Sequence, residues 1–503
     1  MISIFDHGTQ PSCPDNFNLA EYVLRRADEI PDKTALVIVG LSESEYWSYA
    51  DLKRAVLGTA AGFRSLGLKP GQRILLRLGN TVDFPLAYLG AIAAGLVPIP
   101  TSAQLTEPEV QRLMEMTVPD IVVAEKGIAV PRDLGIQILS ATELRTFRDL
   151  PPIDFITGDP NRLAYILFTS GTSGIPRPVA HAHRAIWARQ MMWKDWYDLN
   201  ENDRLLHAGA FNWSFTLGTG LLDPWSVGAT SIILGHDATF ASLPKIMKQN
   251  QATLFAAAPG VYRQMLSNTQ ELDLPDLRHG LCAGEKLSAG IHESWTASTG
   301  LGLHEAFGMT ECSTFISASP GKAASESLGM PQRGRRVAIV SEKGPVAQGE
   351  IGQIAISKSD AGLMLGYLDA PEETLRRYQG EWFLTGDLGS IAADGGISYH
   401  GRQDDMMNAG GFRVSPIEVE KTLQLHPKIN EVAVTDIEIK TDTQVIAAFY
   451  TSDEDIASED LQSYVENKLA RYKQPRIYQR LDSLPRGVNN KLLRKKLKLE
   501  TDQ

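Results

Sequence analysis

Residues 165–183 read Tyr-Ile-Leu-Phe-Thr-Ser-Gly-Thr-Ser-Gly-Ile-Pro-Arg-Pro-Val-Ala-His-Ala-His. An apolar, strand-like run ends at Phe168. It gives way to Thr169, Ser170, Gly171, Thr172, Ser173 and Gly174, which mix hydroxyls with glycines and carry no charge. Glycine turns freely and lets the backbone approach a ligand closely. Successive exposed N–H groups, with hydroxyls beside them, make an anion cradle. Such a cradle directly after a strand points to a polyphosphate grip; in isolation it would also fit a surface turn. Neither Gly-x4-Gly-Lys-Ser/Thr nor a Gly-x-Gly-x-x-Gly strand-to-helix turn occurs in the chain.

With 503 residues, the chain exceeds one hydrophobic core and predicts about two to four domains. Its net charge of -11 argues against a general nucleic-acid or membrane-surface binder. Cys13, Cys282 and Cys312 lie far apart without metal-ligand spacing, which fits a reducing cytoplasm. Residues 1–15 show no basic-then-apolar order, so no secretory signal is expected. Residues 84–100 form the most apolar stretch. Prolines interrupt it and it falls short of the ~20 residues of a spanning helix, so it reads as a buried helix and no membrane insertion is expected.

Apolar residues recur at helical spacing over 19–26 and 49–66, and 73–78 and 120–124 read as strands. This alternation predicts an α/β fold with layered sheets and flanking helices. Residues 184–196 read as a helix rich in aromatics and methionine. Beyond 404 the pattern is that of a small α+β domain, with helices over 418–425 and 458–471 and strands over 432–435 and 445–450. The charge balance then reverses into a basic tail, with Lys468 to Lys498 opposed only by Asp482.

The 165–183 stretch resembles the signature Ser-Gly-Thr-Thr/Ser-Gly-x-Pro-Lys-Gly of the acyl-adenylate-forming enzymes, which include acyl- and aryl-CoA ligases, luciferases and peptide-synthetase adenylation domains. Arg177 stands in place of the usual Lys and keeps the charge with a wider, planar head. Pro178 stands in place of Gly and stiffens the loop exit. Four further segments resemble the family in order: Ala-Gly-Glu-Lys ending at Lys286, Phe307-Gly308-Met309-Thr310-Glu311, Thr385-Gly386-Asp387 and Gly401-Arg402-Gln403-Asp404-Asp405. Beyond them come Gly410-Gly411 and Leu484-Pro485-Arg486 to Lys491-Leu-Leu-Arg494, where Asn490 replaces the usual Gly. The resemblance runs from about Thr34 to Arg494.

The resemblance implies an ATP-dependent acid–CoA ligase that forms an acyl-AMP, releases pyrophosphate and passes the acyl group to the CoA thiol. ATP, Mg²⁺ and CoA are the implied cofactors. Thr169–Gly174 and Arg177 would grip the phosphates, while Gly284, Glu285 and Lys286 pass the adenine. Phe307 would stack on the base, and Gly308 would let substrate pass the backbone. Thr310 would bind the α-phosphate, and Glu311 would hold Mg²⁺, a hard cation that prefers oxygen. Asp387 would accept the ribose hydroxyls, with Arg402 on the ribose or phosphate side. Asp404 would be the hinge between an adenylate-forming domain, 1–403, and a mobile domain, 404–503, carrying the catalytic Lys491. Gly410 and Gly411 would line the CoA channel.

For the acid, His207, Trp213, Phe215, Met309 and Cys312, with Phe315 near them, imply an apolar pocket. Asn212 stands where amino-acid-activating relatives place an Asp, which disfavours an α-amino acid. Segments 280–285 and 308–319 are most similar to the benzoate-type ligases. Two alternatives stay open: a stand-alone adenylating enzyme loading a carrier protein in trans, and a non-catalytic nucleotide-binding relative, motivated by Arg177, Pro178 and Asn490. The expected partners are a small carboxylic acid, ATP and CoA, and a homodimer is compatible with the sequence.

Overall fold

Strands Thr230–Leu234 and Leu254–Ala257 are mostly apolar and buried at every residue. A strand of that kind needs cover on both faces, which parallel sheets flanked by helices provide. The computed structural model describes the chain apart from residues 7, 41–42, 132–134, 170–175, 236–238, 268–270, 322–326, 410–411, 441–442, 467, 470, 488–491, 495 and 498–503. It forms two compact units: Phe5–Arg336 with Ile356–Phe383, and Met1–Ile4 with Val337–Ala355 and Leu384–Gln503. The fold is α/β, with a large N-terminal and a smaller C-terminal domain.

The larger unit is built on a nine-stranded sheet in the order Met330–Pro331, Ser313–Ser317, Leu303–Met309, His279–Ala283, Leu254–Ala257, Arg204–His207, Thr230–Leu234, Thr34–Val39, Ser44–Ser48. From Leu303–Met309 through Thr34–Val39 the strands are parallel, and antiparallel strands close both edges. A second, parallel sheet orders Val97–Pro100, Arg73–Arg77, Ile121–Ala124 and Gln137–Ser140. A third, antiparallel sheet holds Leu163–Thr169, Arg177–Ala182 and Gly366–Tyr367.

Helix Tyr49–Ser65 starts at Ser48, whose hydroxyl accepts from the Asp51 N–H at 3.1 Å. Residues 84–100 are not one buried helix. The helix is Asp83–Ala93, buried throughout, and Val97–Pro100 is a strand. Gly95, at φ +72°, turns the chain between them. Nor is 184–196 one helix. It divides into Ala185–Ala188, Gln190–Met192 and a π-turn, Trp193–Tyr197. The wider π-turn accompanies complete burial of the adjacent Trp196 and Tyr197. Two other expected helices are shorter, at Leu19–Val23 and Ser458–Glu466.

In the smaller unit, Trp382–Ile391 pairs antiparallel with Ile397–Arg402, with a register shift after Leu388. A three-stranded sheet follows, Glu431–Lys440, Thr443–Thr451 and Ile477–Arg480. Val419 and Leu423 of helix Pro416–Gln424 and Leu461 and Val465 of Ser458–Glu466 share a core with Val434 and Ile446 of that sheet.

Candidate active site

In a parallel α/β sheet the carboxyl ends of the strands gather in one place, and ligands bind in the crevice beyond them. His207, Gly284 and the Thr310–Glu311 pair each fall at the carboxyl end of a parallel strand of the nine-stranded sheet. Their strands belong to one neighbouring set, since Arg204–His207, Leu254–Ala257, His279–Ala283 and Leu303–Met309 are consecutive in it. Segments as distant in sequence as His207 and Glu311 are thereby brought to one edge.

Thr310 and Glu311 are the two central residues of a turn closed by the Cys312 N–H donating to the Met309 carbonyl at 3.2 Å. Ser313 follows in the left-handed region, at φ +65°, a conformation non-glycine residues rarely adopt outside tight turns and functional sites. Gly308 has a reason the sequence did not reveal. A Cβ there would lie 2.3 Å from the Ser313 carbonyl oxygen on the returning strand. The glycine admits the strand partner at the bulge between Phe307 and Gly308.

Glu311 is half-buried, and its Oε1 accepts from the Tyr367 hydroxyl at 2.7 Å. Burial, and then the Glu311 charge, raise the Tyr367 pKa, so the phenol stays protonated and donating. No cluster of three His, Cys, Asp or Glu suited to a metal occurs among the described residues. A single carboxylate such as Glu311 suffices for Mg²⁺, which takes one or two carboxylates and completes its shell with phosphate oxygens and water. Glu311 would be the protein ligand, held in orientation by Tyr367.

Thr169 and Arg177 face each other across the antiparallel pair that flanks the expected phosphate cradle. The cradle itself, Ser170, Gly171, Thr172, Ser173 and Gly174, lies outside the described residues. Arg177 makes an ion pair with Glu373 at 2.7 Å, and its guanidinium sits 5.7 Å from the centre of the Tyr367 ring. Lys286 is held by Glu305 at 2.7 Å, and Glu305 also accepts from the Leu287 N–H. Its ammonium shapes the turn after Gly284.

Gly284, at φ +100°, packs under Trp213, where a Cβ would lie 2.7 Å from the indole. Trp213 meets Phe215 edge to face at 5.2 Å, and Phe215 meets His207 at 4.5 Å. His207 is fully buried, and burial lowers its pKa to about 3, so the imidazole is neutral. Phe307 contacts Phe315 edge to face at 5.5 Å, and Met309 ends its strand opposite Ser313. Cys312 departs from the expected pocket wall: it is wholly buried, its Sγ 3.8 Å from Asp360. Asp360 in turn forms a buried ion pair with Arg335.

The sequence did not reveal the polar chamber beside Thr310. A cavity of about 30 Å³ is lined by Thr310, His181, Tyr88, Tyr165, Arg189 and Gly218, among others. Arg189 is fixed to Asp223 by Nε at 2.9 Å and Nη2 at 2.6 Å. Tyr197 donates to the same carboxylate at 2.8 Å. Gly218 lies on the turn Thr216–Leu222, and a Cβ on it would lie 2.4 Å from the guanidinium carbon. The sequence signal was no more than an arginine, Arg189, within a stretch rich in aromatics and methionine.

In the smaller unit, Asp387 is 6% exposed. It accepts from the Tyr399 hydroxyl at 3.1 Å and from Arg402 Nη1 at 3.4 Å, and Asp387 and Arg402 are direct cross-strand partners. Tyr399 was not foreseen. Asp404 falls in a short 3-10 turn, Gln403–Asp405, directly after this hairpin. Gly410, Gly411 and Lys491 lie outside the described residues. Arg494, three residues past Lys491, pairs with Glu420 at 2.6 Å.

Residues 23–368 match the AMP-binding enzyme family and residues 418–491 match the AMP-binding enzyme C-terminal domain. The chain is 28% identical to the benzoate–CoA ligase of Thauera aromatica, over 99% of either chain. It is 30% identical to the 4-hydroxybenzoate–CoA/benzoate–CoA ligase of Rhodopseudomonas palustris, over 89% of this chain and 88% of that one. The crystal structure of a benzoate–CoA ligase from Burkholderia xenovorans LB400 superposes with a TM-score of 0.86 at 27% identity, covering 96% of this chain and all of that one. With both segments matched in order and the strand-end residues assembled as described, the chain belongs to the AMP-binding enzyme family.

Proposed function

We propose that this acid–thiol ligase activates a small carboxylic acid as its acyl-AMP and delivers the acyl group to CoA, with Thr310, Glu311 and Lys491 as its central residues. A free carboxylate is a poor acyl donor because oxide would have to leave. Joined to AMP, it loses a phosphate instead. The acid oxygen attacks the α-phosphorus of ATP in line and pyrophosphate departs, a step driven by positioning and charge neutralisation. Thr310 at the turn tip offers a hydroxyl to the α-phosphate, and residues 169–174 with Arg177 take the outer phosphates. Mg²⁺, when bound at Glu311, neutralises charge on the phosphate oxygens. The compact ammonium of Lys491 lies between two anions that otherwise repel.

For the thiol to reach the adenylate, Lys491 must withdraw. A domain boundary at 403/404 with Asp404 as pivot, and a thiol channel past Gly410 and Gly411, supply that second state. Location in the cytoplasm accords with the thiol chemistry, and no helix among the described residues is long and apolar enough to cross a membrane.

The observation that carries this reading is the match of both family segments in order, the second ending at Lys491. The test is a panel of carboxylic acids with ATP and either CoA or a carrier protein, read by pyrophosphate release and by mass spectrometry of the thioester. Thioester on CoA supports the reading, product on the carrier alone redirects it, and no pyrophosphate with any acid refutes it. Lys491→Ala is expected to abolish adenylate formation yet pass supplied acyl-AMP to CoA.

A further inference from the structure

We propose that the chamber beside Thr310 is a subsite for an uncharged oxygen on the acyl group, making Tyr88, His181 and Arg189 the residues that select a hydroxyl- or carbonyl-bearing acid. The inference rests on the ligase reading above and narrows its substrate class. Its basis is a set of buried polar groups with nothing to bind. The Tyr88 hydroxyl, on a residue with no exposed surface, has no hydrogen-bond partner among the described residues. Neither ring nitrogen of His181, a residue 2% exposed, has a well-formed hydrogen bond among the described residues, although the Thr310 backbone lies close enough to act on the ring. Buried donors and acceptors are nearly always satisfied, and each one that is not asks for a missing water or ligand. Leaving such a group unmade is destabilising, and here several line one small space.

The electrical character of the wall decides what the space accepts. Arg189 would suit a carboxylate if it were unpaired, but Asp223 already cancels its charge in a two-point contact. Its five N–H groups are mostly assigned, to Asp223, to Tyr197 and Thr219 through Nη2, and to Ser313 through Nη1. One Nη1 hydrogen is left over on the guanidinium that lines the cavity. Burial lowers the His181 pKa to about 4 and outweighs the opposing pull of the Thr310 backbone. The imidazole is therefore neutral and offers one donor and one acceptor. Tyr88 can do either. A wall with no net charge, several donors and an acceptor fits a hydroxyl or a carbonyl oxygen and does not fit a second carboxylate or an ammonium.

Size points the same way. A water needs roughly 10–15 Å³ of such space, so a cavity of about 30 Å³ admits one or two groups of that size. Thr310 lines the chamber as well, and so do Ser214 and Gly218, which follow Trp213 on the expected acyl wall. The oxygen held there would belong to the same molecule whose carboxylate reacts at Thr310.

The experiment compares matched acids that differ by one oxygen: benzoate with its three monohydroxy isomers, and hexanoate with 2-hydroxy-, 3-hydroxy- and 3-oxohexanoate. Each is assayed for pyrophosphate release and thioester with the wild type and with Tyr88→Phe. The expected result is a kcat/KM at least tenfold higher for one oxygenated acid than for its parent, and a ratio reduced about tenfold by Tyr88→Phe. Gly218→Ala, which crowds the guanidinium, is expected to shrink the ratio too. A parent acid used as well as every oxygenated one overturns the proposal and leaves the chamber to ordered water. So does a Tyr88→Phe variant that slows both members of a pair equally. If no acid yields pyrophosphate, the ligase reading itself fails and takes this one with it.

Discussion

Two carboxylates, one in each compact unit, are held by a tyrosine hydroxyl, and they differ in everything else. Glu311 sits half-buried at a turn tip, takes the Tyr367 hydroxyl on Oε1 and forms no ion pair among the described residues. Asp387 lies inside a strand, takes Tyr399, and has Arg402 beside it. The contrast matches two tasks. A carboxylate meant for a dication loses affinity if a guanidinium competes for it. One meant for neutral sugar hydroxyls can keep a resident cation, because it must accept hydrogen bonds and not neutralise charge.

The comparison breaks most visibly at Glu311. Glu311→Gln preserves shape and removes the charge, so pyrophosphate release should fall on the order of 10²–10³-fold, as when one electrostatic group is taken from a reacting centre. The loss should appear chiefly in kcat. Asp387→Asn should cost less, roughly 10–100-fold in kcat/KM, expressed as a raised KM for ATP because it removes binding shared by ground and transition states. Titrating ATP and Mg²⁺ for both variants checks this. Equal losses, both in KM, would mean the two carboxylates share one role.

Acid should separate the two units next. His181, His183 and His207 in the larger unit are at most 2% exposed, with pKa values lowered by burial to about 4, 3 and 3. His183 Nδ1 accepts from the Leu19 N–H at 3.0 Å, which requires the unprotonated ring. The native rings stay neutral while the unfolded chain takes up protons below an ordinary histidine pKa of about 6.5. Stability is therefore full above that value and falls as the pH drops towards 4. The loss is about 1.4 kcal/mol, or tenfold in the folding equilibrium, per histidine at pH 5.5. The smaller unit's His400 and His426 are partly exposed. Urea unfolding at pH 7.5 and 5.5, followed by hydrogen exchange in each unit, should show the larger unit losing more. Parallel losses would contradict the assignment of neutral buried rings.

Much of this was legible in the sequence where the cause is local. The residues from Phe307 to Glu311, taken alone, read as a glycine turn before a helix; a turn is there, at Thr310–Glu311, but Phe307–Met309 end a strand and strand Ser313–Ser317 follows. Asp387 and Arg402 were each marked by a motif, but that they are cross-strand neighbours is seen only in the structure. What could not be read depends on contacts between distant segments. Tyr367 lies 56 residues from Glu311, and no local pattern distinguishes it from any strand tyrosine. Arg189 looked like part of a helix, and its inward turn to Asp223 is evident only once the π-turns are placed. Cys312 sits next to a site residue in sequence, yet alternation across the turn sends it towards Asp360. Gly308 was assigned to substrate clearance when the carbonyl of Ser313 already demands it. The cradle glycines and Lys491, the most recognisable residues in the sequence, are outside the described part of the chain.

The finest test of the comparison removes the two hydroxyls. Tyr367→Phe leaves the Glu311 carboxylate in place but loosens its orientation, and such supporting contacts are worth about 10–100-fold in metal affinity at fully built metal sites. Phosphate oxygens supply most of the shell here, so a smaller effect is expected: about a three- to tenfold rise in the Mg²⁺ concentration for half-maximal rate, at saturating ATP. Tyr399→Phe deletes a 3.1 Å bond to a carboxylate that Arg402 still attends. It should raise the KM for ATP about two- to tenfold and leave the Mg²⁺ requirement where it was, since a single hydrogen bond is worth about 0.5–1.5 kcal/mol. The outcome that counts is the crossing of the two readouts. Were Tyr399→Phe to shift the Mg²⁺ dependence as much as Tyr367→Phe does, the metal would be answering to both carboxylates, and the division of labour between Glu311 and Asp387 would be wrong.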